Sequence, residues 1–254
     1  MKKVWNSFLI AFAMFSKIPM PRADWDKENM KYMMCFFPAI GAVIGALLCG
    51  YGKLCEFLDF GTLMRGAGYV LIPVIVTGGI HLDGFLDTVD ALSSYQPAER
   101  KLEILKDSHA GAFAIIMGCA YFVLALGVWS EMPGKALPVM GIGSVVSRSL
   151  SGLALTSFPC ANKKGSLGMF ADAAQRNVVR TVLVLWLVVC AFLICLLDWR
   201  LAFVLSGTAS AVYGYYYRLA MKQFGGTTGD IAGFFVQVCE LAMACTVMLG
   251  GKLL

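Results

Sequence analysis

The chain has 254 residues, of which 59% are hydrophobic and only 15% are charged. Soluble domains carry about 25% charged residues, so this composition excludes a soluble protein and predicts an integral membrane protein that contacts the lipid bilayer. The formal net charge of +5 indicates membrane topology and attraction to anionic lipids and substrates, and no nucleic-acid partner is expected.

The first apolar segment, residues 4–19, is short and ends at Pro19 and Pro21. We predict an interfacial or re-entrant helix here rather than a full crossing. A cleaved signal peptide is the alternative, because basic residues precede the apolar stretch. No small-residue cleavage site follows it, so we reject that alternative.

Seven later apolar runs are long enough for the roughly 20 helical residues that cross a bilayer. They lie at residues 33–58, 63–82, 110–129, 136–157, 178–197, 201–220 and 231–251. We therefore predict an all-α fold, a polytopic helical membrane bundle with about seven spans. Residues 1–254 form a single transmembrane domain, and a homo-oligomer is compatible with these features.

Small residues in the runs predict packing rather than chemistry. Gly41 and Gly45 stand four residues apart, a spacing that predicts a close helix–helix contact. The nine cysteines lie in apolar stretches without C-x-x-C spacing, so we interpret them as small buried side chains.

Lysine and arginine are distributed unevenly between the two sides of the predicted bundle. Twelve fall in the loops at 20–32, 84–109, 158–180 and 218–230, and five fall on the opposite side. Because basic loops stay inside, the first set is expected in the cytoplasm and the C-terminus outside.

Three acids follow the run 63–82 at helical spacing. In a helix, Asp83, Asp87 and Asp90 share one face as i, i+4 and i+7. Like charges this close repel one another unless a cation lies between them, and oxygen-only clusters suit Mg²⁺ or Mn²⁺. A solvated polar helix end is the structural alternative. The preceding glycine pair and His81 favour the metal site.

Two further loops carry candidate polar residues. Asp107 precedes the run 110–129, either as a fourth carboxylate or as a helix cap together with Ser108. The glycine-rich loop at residues 225–230 lets backbone N–H groups approach phosphate, and a helix N-terminus follows it. Asp230 is either a metal ligand there or the N-cap. The loop matches neither a Walker motif nor a dinucleotide fingerprint.

Two ionisable residues lie inside the predicted spans. Arg148 and Glu240 are each nine residues from the cytoplasmic end of their run, at a depth of roughly 14 Å. Charges at this depth need a partner or a cavity, so the two residues form a structural salt bridge or contact substrate.

The segment Gly78-Gly79-Ile80-His81-Leu82-Asp83-Gly84, followed by Asp87 and Asp90, resembles the Gly-Gly-x-His-Leu-Asp-Gly block of the cobalamin synthase family, adenosylcobinamide-GDP ribazoletransferase. Residues 105–108 with 111–113 resemble its second block, and residues 226–230 its third. Weaker similarity covers residues 16–19 and 37–41. The chain departs from the family pattern at Ala91, where a glycine is expected, and at His109, where an arginine is common.

The resemblance implies a single transmembrane catalytic domain in the bacterial cytoplasmic (inner) membrane, with its active site facing the cytoplasm. The 3′-hydroxyl of α-ribazole, or of its 5′-phosphate, attacks the cobinamide-proximal phosphorus of adenosylcobinamide-GDP. The products are adenosylcobalamin, or its 5′-phosphate, and GMP.

On this resemblance, Asp83, Asp87 and Asp90 are assigned to Mg²⁺ and to catalysis, and Asp107 and Asp230 complete the metal ligands. His81 is a base, a partner of a metal ligand, a corrin contact or an oriented structural residue. The expected substrate-binding residues are Asp107, Ser108, His109, Arg148, Gly225, Gly226, Thr227, Thr228, Gly229 and Glu240.

Two alternatives compete with this interpretation. In a secondary transporter, Arg148 and Glu240 would form the substrate or proton site, but the acids concentrate at one surface and no internal repeat is visible. A CDP-alcohol phosphatidyltransferase shares the mechanism, but its motifs are not found here.

Overall fold

A computed structural model describes residues 2–107, 109–162 and 166–253. Across these ranges the regular elements are all helices, which confirms the all-α prediction. They are α1 (Lys2–Phe15), α2 (Lys27–Met30), α3 (Phe37–Phe57), α4 (Thr62–Thr77), α5 (Ile80–Ser93), α6 (Ala98–Ile104), α7 (Ala112–Ser130), α8 (Leu137–Ser157), α9 (Ser166–Ala173), α10 (Arg176–Leu197), α11 (Trp199–Phe224) and α12 (Gly229–Leu253).

Five helices of the described chain are long and apolar enough to cross a membrane: α3, α7, α10, α12 and the stretch Gly134–Ser157 that contains α8. The bent pair of α4 and α5 makes a sixth if the two count as one span. α11 has 26 residues, but tyrosines and basic residues lower its hydropathy. Membrane helices are therefore confirmed, and the predicted number of seven is not.

The predicted run 63–82 is not one helix, which corrects that boundary. α4 ends at Thr77, and Gly78 and Gly79 follow with φ of +63° and +80°. Glycine adopts this left-handed conformation without the steric cost of a Cβ atom. α5 then starts at Ile80 and is bent by 95° from α4. The acid segment is helical, as predicted, but it leaves the axis of the apolar run.

The N-terminal helix α1 has 14 residues and is roughly 21 Å long, shorter than the hydrocarbon core of a bilayer of about 30 Å. It is attached to α2 by Ser7, which donates a 2.5 Å hydrogen bond to the carbonyl oxygen of Asn29, and by an ion pair between Lys3 and Glu28. Its interfacial or re-entrant position stays a prediction.

Helix α8 is the centre of the bundle, with most of its residues buried against α3, α10 and α12. A Cβ atom on Gly45 of α3 would lie 2.5 Å from the carbonyl oxygen of Gly141. A Cβ atom on Gly41 would lie similarly close to the carbonyl oxygen of Ser144. Only glycine allows the two backbones to meet at this distance. The predicted glycine contact is confirmed.

The loops that carry the sequence motifs meet at one end of the bundle. The N–H of Lys17 donates to the carbonyl oxygen of Val76 (2.7 Å), and the N–H of Thr227 donates to that of Pro159 (2.8 Å). At the opposite end, Lys252 of α12 pairs with Glu131, after the last residue of α7. The motif-bearing end is called the site end below.

Candidate functional site

A cavity of about 120 Å³ lies at the site end. Its polar wall contains His81 and Asp83 from α5, and Thr227 and Asp230 from the start of α12. Its apolar wall contains aromatic and aliphatic residues from α1, α3, α8 and α9. The first and third motifs of the sequence therefore share one cavity.

Close packing of α5 on α12 brings Asp83 and Asp230 together. A Cβ atom on Gly84 would lie 2.7 Å from the carbonyl oxygen of Asp230, and one on Gly233 would lie 3.0 Å from that of His81. The two helices can cross at this distance only because both positions lack a side chain. The glycine of the His-Leu-Asp-Gly block thus positions the acid that precedes it.

Asp87 and Asp90 extend the acid cluster along α5. The carboxylates of Asp83, Asp230 and Asp90 lie close enough to Asp87 to repel its charge. Among the described residues, the ion pairs found do not involve any of these four acids. Within the described chain the cluster is therefore a group of carboxylate oxygens without a basic partner, the donor set that Mg²⁺ prefers.

The acids are neighbours without forming a closed ligand shell. In the part of the chain that the structure describes, no three side chains of His, Cys, Asp or Glu converge tightly enough to hold a metal ion. The assignment of the aspartates to Mg²⁺ therefore stays a prediction that rests on their charge and proximity.

The turn before α7 lies beside the acid cluster. Asp107 accepts a hydrogen bond from the His109 N–H (3.0 Å) and contacts its Nδ1 (2.8 Å). This bonding to His109 lowers the pKa of the Asp107 carboxyl. Gly111, not Asp107, is the residue before α7, and it lies against the carboxylate of Asp90. Ser108 lies outside the described residues.

Backbone hydrogen bonds to neighbouring segments hold the glycine-rich loop in place. The N–H groups of Gly225, Gly226 and Thr227 donate to the carbonyl oxygens of Met221, Ala220 and Pro159. Phosphate contacts from this motif are therefore expected from the N–H groups of Thr228, just before α12, and of Gly229, its first residue, because no helical carbonyl lies one turn earlier.

Thr228 is the capping residue of α12. Its Oγ1 accepts a hydrogen bond from the N–H of Ile231 (3.3 Å). The N-cap alternative for Asp230 is therefore wrong, and Asp230 lies in the first helical turn with its side chain lining the cavity. Tyr216 of α11 supports the loop through a 2.5 Å hydrogen bond between its hydroxyl and Thr227 Oγ1.

His81 is buried in the cavity wall beside two phenylalanines that pack against each other. Its ring centroid lies 5.6 Å from that of Phe37 and 6.3 Å from that of Phe15. The Nε2 atom is buried without a hydrogen-bond partner among the described residues. This position fits a contact to a bound molecule, whereas the base role stays a prediction.

Arg148 and Glu240 form the predicted salt bridge, with 2.5 Å between Nη1 and Oε1. Arg148 is 1% exposed, and Ser147 Oγ donates a second hydrogen bond to Glu240 (2.8 Å). The pair joins α8 to α12. Neither residue is among those described as lining the 120 Å³ cavity, so their contact with substrate stays a prediction.

Three features of the site were missed from the sequence: the aromatic wall, Tyr216 and Lys17. The side chain of Lys17 lies across Gly78, at the bend that leads into α5. Residues 16–19 and 37–41 had shown weak family similarity, which was the available signal. In an apolar sequence, phenylalanines that line a cavity cannot otherwise be distinguished from phenylalanines that face lipid.

Fold and site together define a polytopic helical membrane protein with an acidic cavity at one end of its bundle. The chain matches the family model described as Cobalamin-5-phosphate synthase over residues 7–248, and it belongs to that family.

Several relatives carry the name adenosylcobinamide-GDP ribazoletransferase. The protein from Lachnoclostridium phytofermentans is 43% identical over 96% of this chain and 94% of its own length. Those from Clostridium botulinum and Geobacillus thermodenitrificans are each 31% identical, over 95% and 98% of this chain and 96% and 97% of their own lengths. No solved structure matches the chain.

Proposed function

We infer that the chain is an adenosylcobinamide-GDP ribazoletransferase of cobalamin synthesis, the activity that its relatives' names state. The observation that carries this inference is the shared cavity of Asp83, Asp230 and His81, which come from two motifs far apart in the sequence. The family match favours this activity over the alternatives of a transporter and a CDP-alcohol phosphatidyltransferase.

The proposed reaction is a phosphoryl transfer between two bound substrates. The 3′-hydroxyl oxygen of α-ribazole, or of its 5′-phosphate, forms a bond to the cobinamide-proximal phosphorus. The bond between that phosphorus and the oxygen of the GMP leaving group breaks, and the hydroxyl proton passes to a carboxylate of the acid cluster. Asp83 and Asp230 are proposed to orient this hydroxyl, and their shared position in the cavity lining supports that role.

The proposed cofactor is Mg²⁺. Asp83, Asp87, Asp90 and Asp230 fit it because they offer only carboxylate oxygens and have no basic partner among the described residues. Asp107 is proposed as a further ligand, since its turn adjoins Asp90. When bound, the ion supplies positive charge that stabilises the phosphate oxygens and the departing nucleotide.

The active site is proposed to face the cytoplasm from the inner membrane. The support is the charge distribution, with twelve basic residues in the predicted loops of the site end and five on the other side. The clustering of the motifs at one end of the bundle agrees with a one-sided site.

Release of GMP tests the activity directly. Purified protein in lipid nanodiscs is incubated with adenosylcobinamide-GDP, α-ribazole and MgCl₂, with parallel samples that lack the riboside or contain EDTA. We expect GMP only in the complete mixture, with restoration when excess Mg²⁺ follows EDTA. Absence of GMP from folded protein refutes the function, and full activity in EDTA refutes the metal assignment alone.

A further inference from the structure

The 120 Å³ cavity has two chemically different halves. Its polar half contains Asp83, Thr227 and Asp230. Its other half is lined by Phe15, Met34, Phe37, Leu155 and Phe170, of which Met34, Phe37, Leu155 and Phe170 are each at most 6% exposed. A molecule that fills this space has one apolar end and one end with polar groups.

The size of the cavity excludes the largest substrate group. An apolar protein cavity of about 150 Å³ binds one benzene molecule, so a cavity of 120 Å³ is on the scale of a small flat aromatic group. A bicyclic aromatic ring matches this scale, whereas a corrin macrocycle exceeds it several-fold. Three groups of the proposed substrates are bicyclic: the adenine of the adenosyl group, the guanine of the GDP and the dimethylbenzimidazole of α-ribazole.

The lining distinguishes these three bases. Guanine and adenine have hydrogen-bonding groups along the edges of both rings, and burying them against phenylalanine, methionine and leucine leaves them without partners. The outer edge of dimethylbenzimidazole carries two methyl groups and needs no partner. The aromatic side chains also provide surfaces on which a flat ring stacks.

His81 offers such a base a polar contact. Its Nε2 is buried without a partner among the described residues, in a side chain that is 5% exposed and lies beside Phe15 and Phe37, which pack against each other. A benzimidazole riboside has one unsubstituted ring nitrogen, which accepts a hydrogen bond. Because Nε2 has almost no accessible surface, the His81 ring must shift on binding for this hydrogen bond to form. The bond then satisfies an atom that the described residues leave unpaired.

We propose that this cavity is the binding pocket for the benzimidazole base of the riboside substrate, an assignment that rests on the proposed function. The base lies against the apolar half and His81. Its sugar then extends into the polar half, which brings the 3′-hydroxyl to Asp83 and Asp230. The phosphates and the guanine of the second substrate remain outside the pocket.

Enlarging the pocket tests this assignment. Leu155→Ala removes three carbons from the apolar wall, and Leu137→Ala is the matched control, because both leucines are in α8 and 6% exposed but Leu137 lies at the opposite end. The measured quantity is the ratio of kcat/KM for a bulkier naphthimidazole riboside to kcat/KM for α-ribazole.

We expect Leu155→Ala to raise this ratio by about tenfold, since one methylene in an apolar pocket changes selectivity roughly 10-fold or more. Leu137→Ala should leave the ratio unchanged, and the KM for adenosylcobinamide-GDP should stay within about twofold in both variants. If Leu155→Ala does not fold, Leu155→Val should show a smaller change in the same direction.

Two results overturn the assignment while the proposed function stands. One is the same ratio in the Leu155 and Leu137 variants. The other is an increased KM for adenosylcobinamide-GDP with an unchanged riboside ratio, which places the guanine in the cavity instead. A wild-type protein that releases no GMP with any riboside refutes the proposed function itself.

Discussion

Four aspartates without a basic partner in the described chain are costly unless a cation joins them. Asp87 is affected by three neighbours, because Asp83, Asp90 and Asp230 all repel its charge. Repulsion of this kind destabilises the fold in the absence of metal. A cluster of repelling carboxylates is expected where a site must hold a divalent ion and phosphate together.

Replacing one of these carboxylates by its isosteric amide separates charge from shape. We expect Asp83→Asn and Asp87→Asn to abolish GMP release while the protein still inserts and folds in membranes. Asp59→Asn is the control, because Asp59 is exposed, lies just after α3 and has φ of +52°, which asparagine also tolerates. Near-normal turnover in either site variant would contradict the metal assignment for that residue.

Thermal stability gives a readout independent of turnover. In EDTA, Asp87→Asn should melt at or above the temperature of the wild type, because one repelling charge is gone. Added Mg²⁺ should raise the melting temperature of the wild type more than that of the variant, since ligand binding stabilises the folded state. Equal responses to Mg²⁺ in both proteins would show that Asp87 is not a ligand.

At the scale of elements, the crossing of α5 and α12 positions the site. Gly84→Ala would put a methyl group 2.7 Å from the carbonyl oxygen of Asp230, and a backbone atom cannot rotate away as a side chain can. We expect the helices to separate and GMP release to fall at least about tenfold, measured per amount of folded protein.

Gly50→Ala provides the matched comparison, because Gly50 lies within α3 and a Cβ atom there would meet nothing within 4 Å. It should keep full activity and gain about 0.5–1 kcal/mol of stability, the helical advantage of alanine over glycine. If Gly84→Ala is as active as Gly50→Ala, close packing at Gly84 does not position Asp230.

The salt bridge between α8 and α12 is predicted to be structural. Arg148→Met or Glu240→Met leaves one buried polar group unpaired, which costs about 3–5 kcal/mol in comparable cases. Arg148→Met combined with Glu240→Met should cost less than the sum of the single changes. The free energies of unfolding of the wild type, the two single variants and the double variant, measured in mixed detergent, give the coupling between the two residues. Single variants that keep their stability but raise a substrate KM would instead place the pair in the substrate site.

The sequence predicts local features of these elements well. The spacing of Asp83, Asp87 and Asp90 predicted a helical acid face, and Gly41 and Gly45 predicted a backbone contact. The 95° bend between α4 and α5 was missed, because a glycine pair is compatible with many chain directions. The meeting of Asp83 with Asp230 was expected only from the family resemblance, since local sequence patterns do not reveal how distant helices pack.

At the scale of the whole molecule, the position of α11 decides the topology. α10 starts near Thr156, whose carbonyl oxygen accepts a hydrogen bond from Arg180, and one residue, Asp198, joins α10 to α11. α11 then returns the chain to Thr227 at the site end. It therefore runs the length of the bundle, although its hydropathy does not identify it as a span.

Packing explains how a tyrosine-rich helix can cross. α11 packs along α12 and α10, and Leu205, Ala209 and Tyr216 are buried. Protein contacts on this face replace lipid contacts that would otherwise require apolar side chains. If α11 crosses, it joins α3, α4, α7, α8, α10 and α12 in the seven crossings that the sequence predicts. The side of the C-terminus tests this count.

The test compares two epitope tags in the full-length protein. One is inserted after Tyr95, which is 92% exposed between α5 and α6, and the other follows the C-terminus. If α11 crosses, five helices separate the tags, so they lie on opposite sides of the membrane. Because basic loops stay inside, antibody should reach the C-terminal tag in intact spheroplasts and the Tyr95 tag only after permeabilisation. Both tags on one side would show that α11 does not cross, and the reversed pattern would place the acid cluster outside the cell.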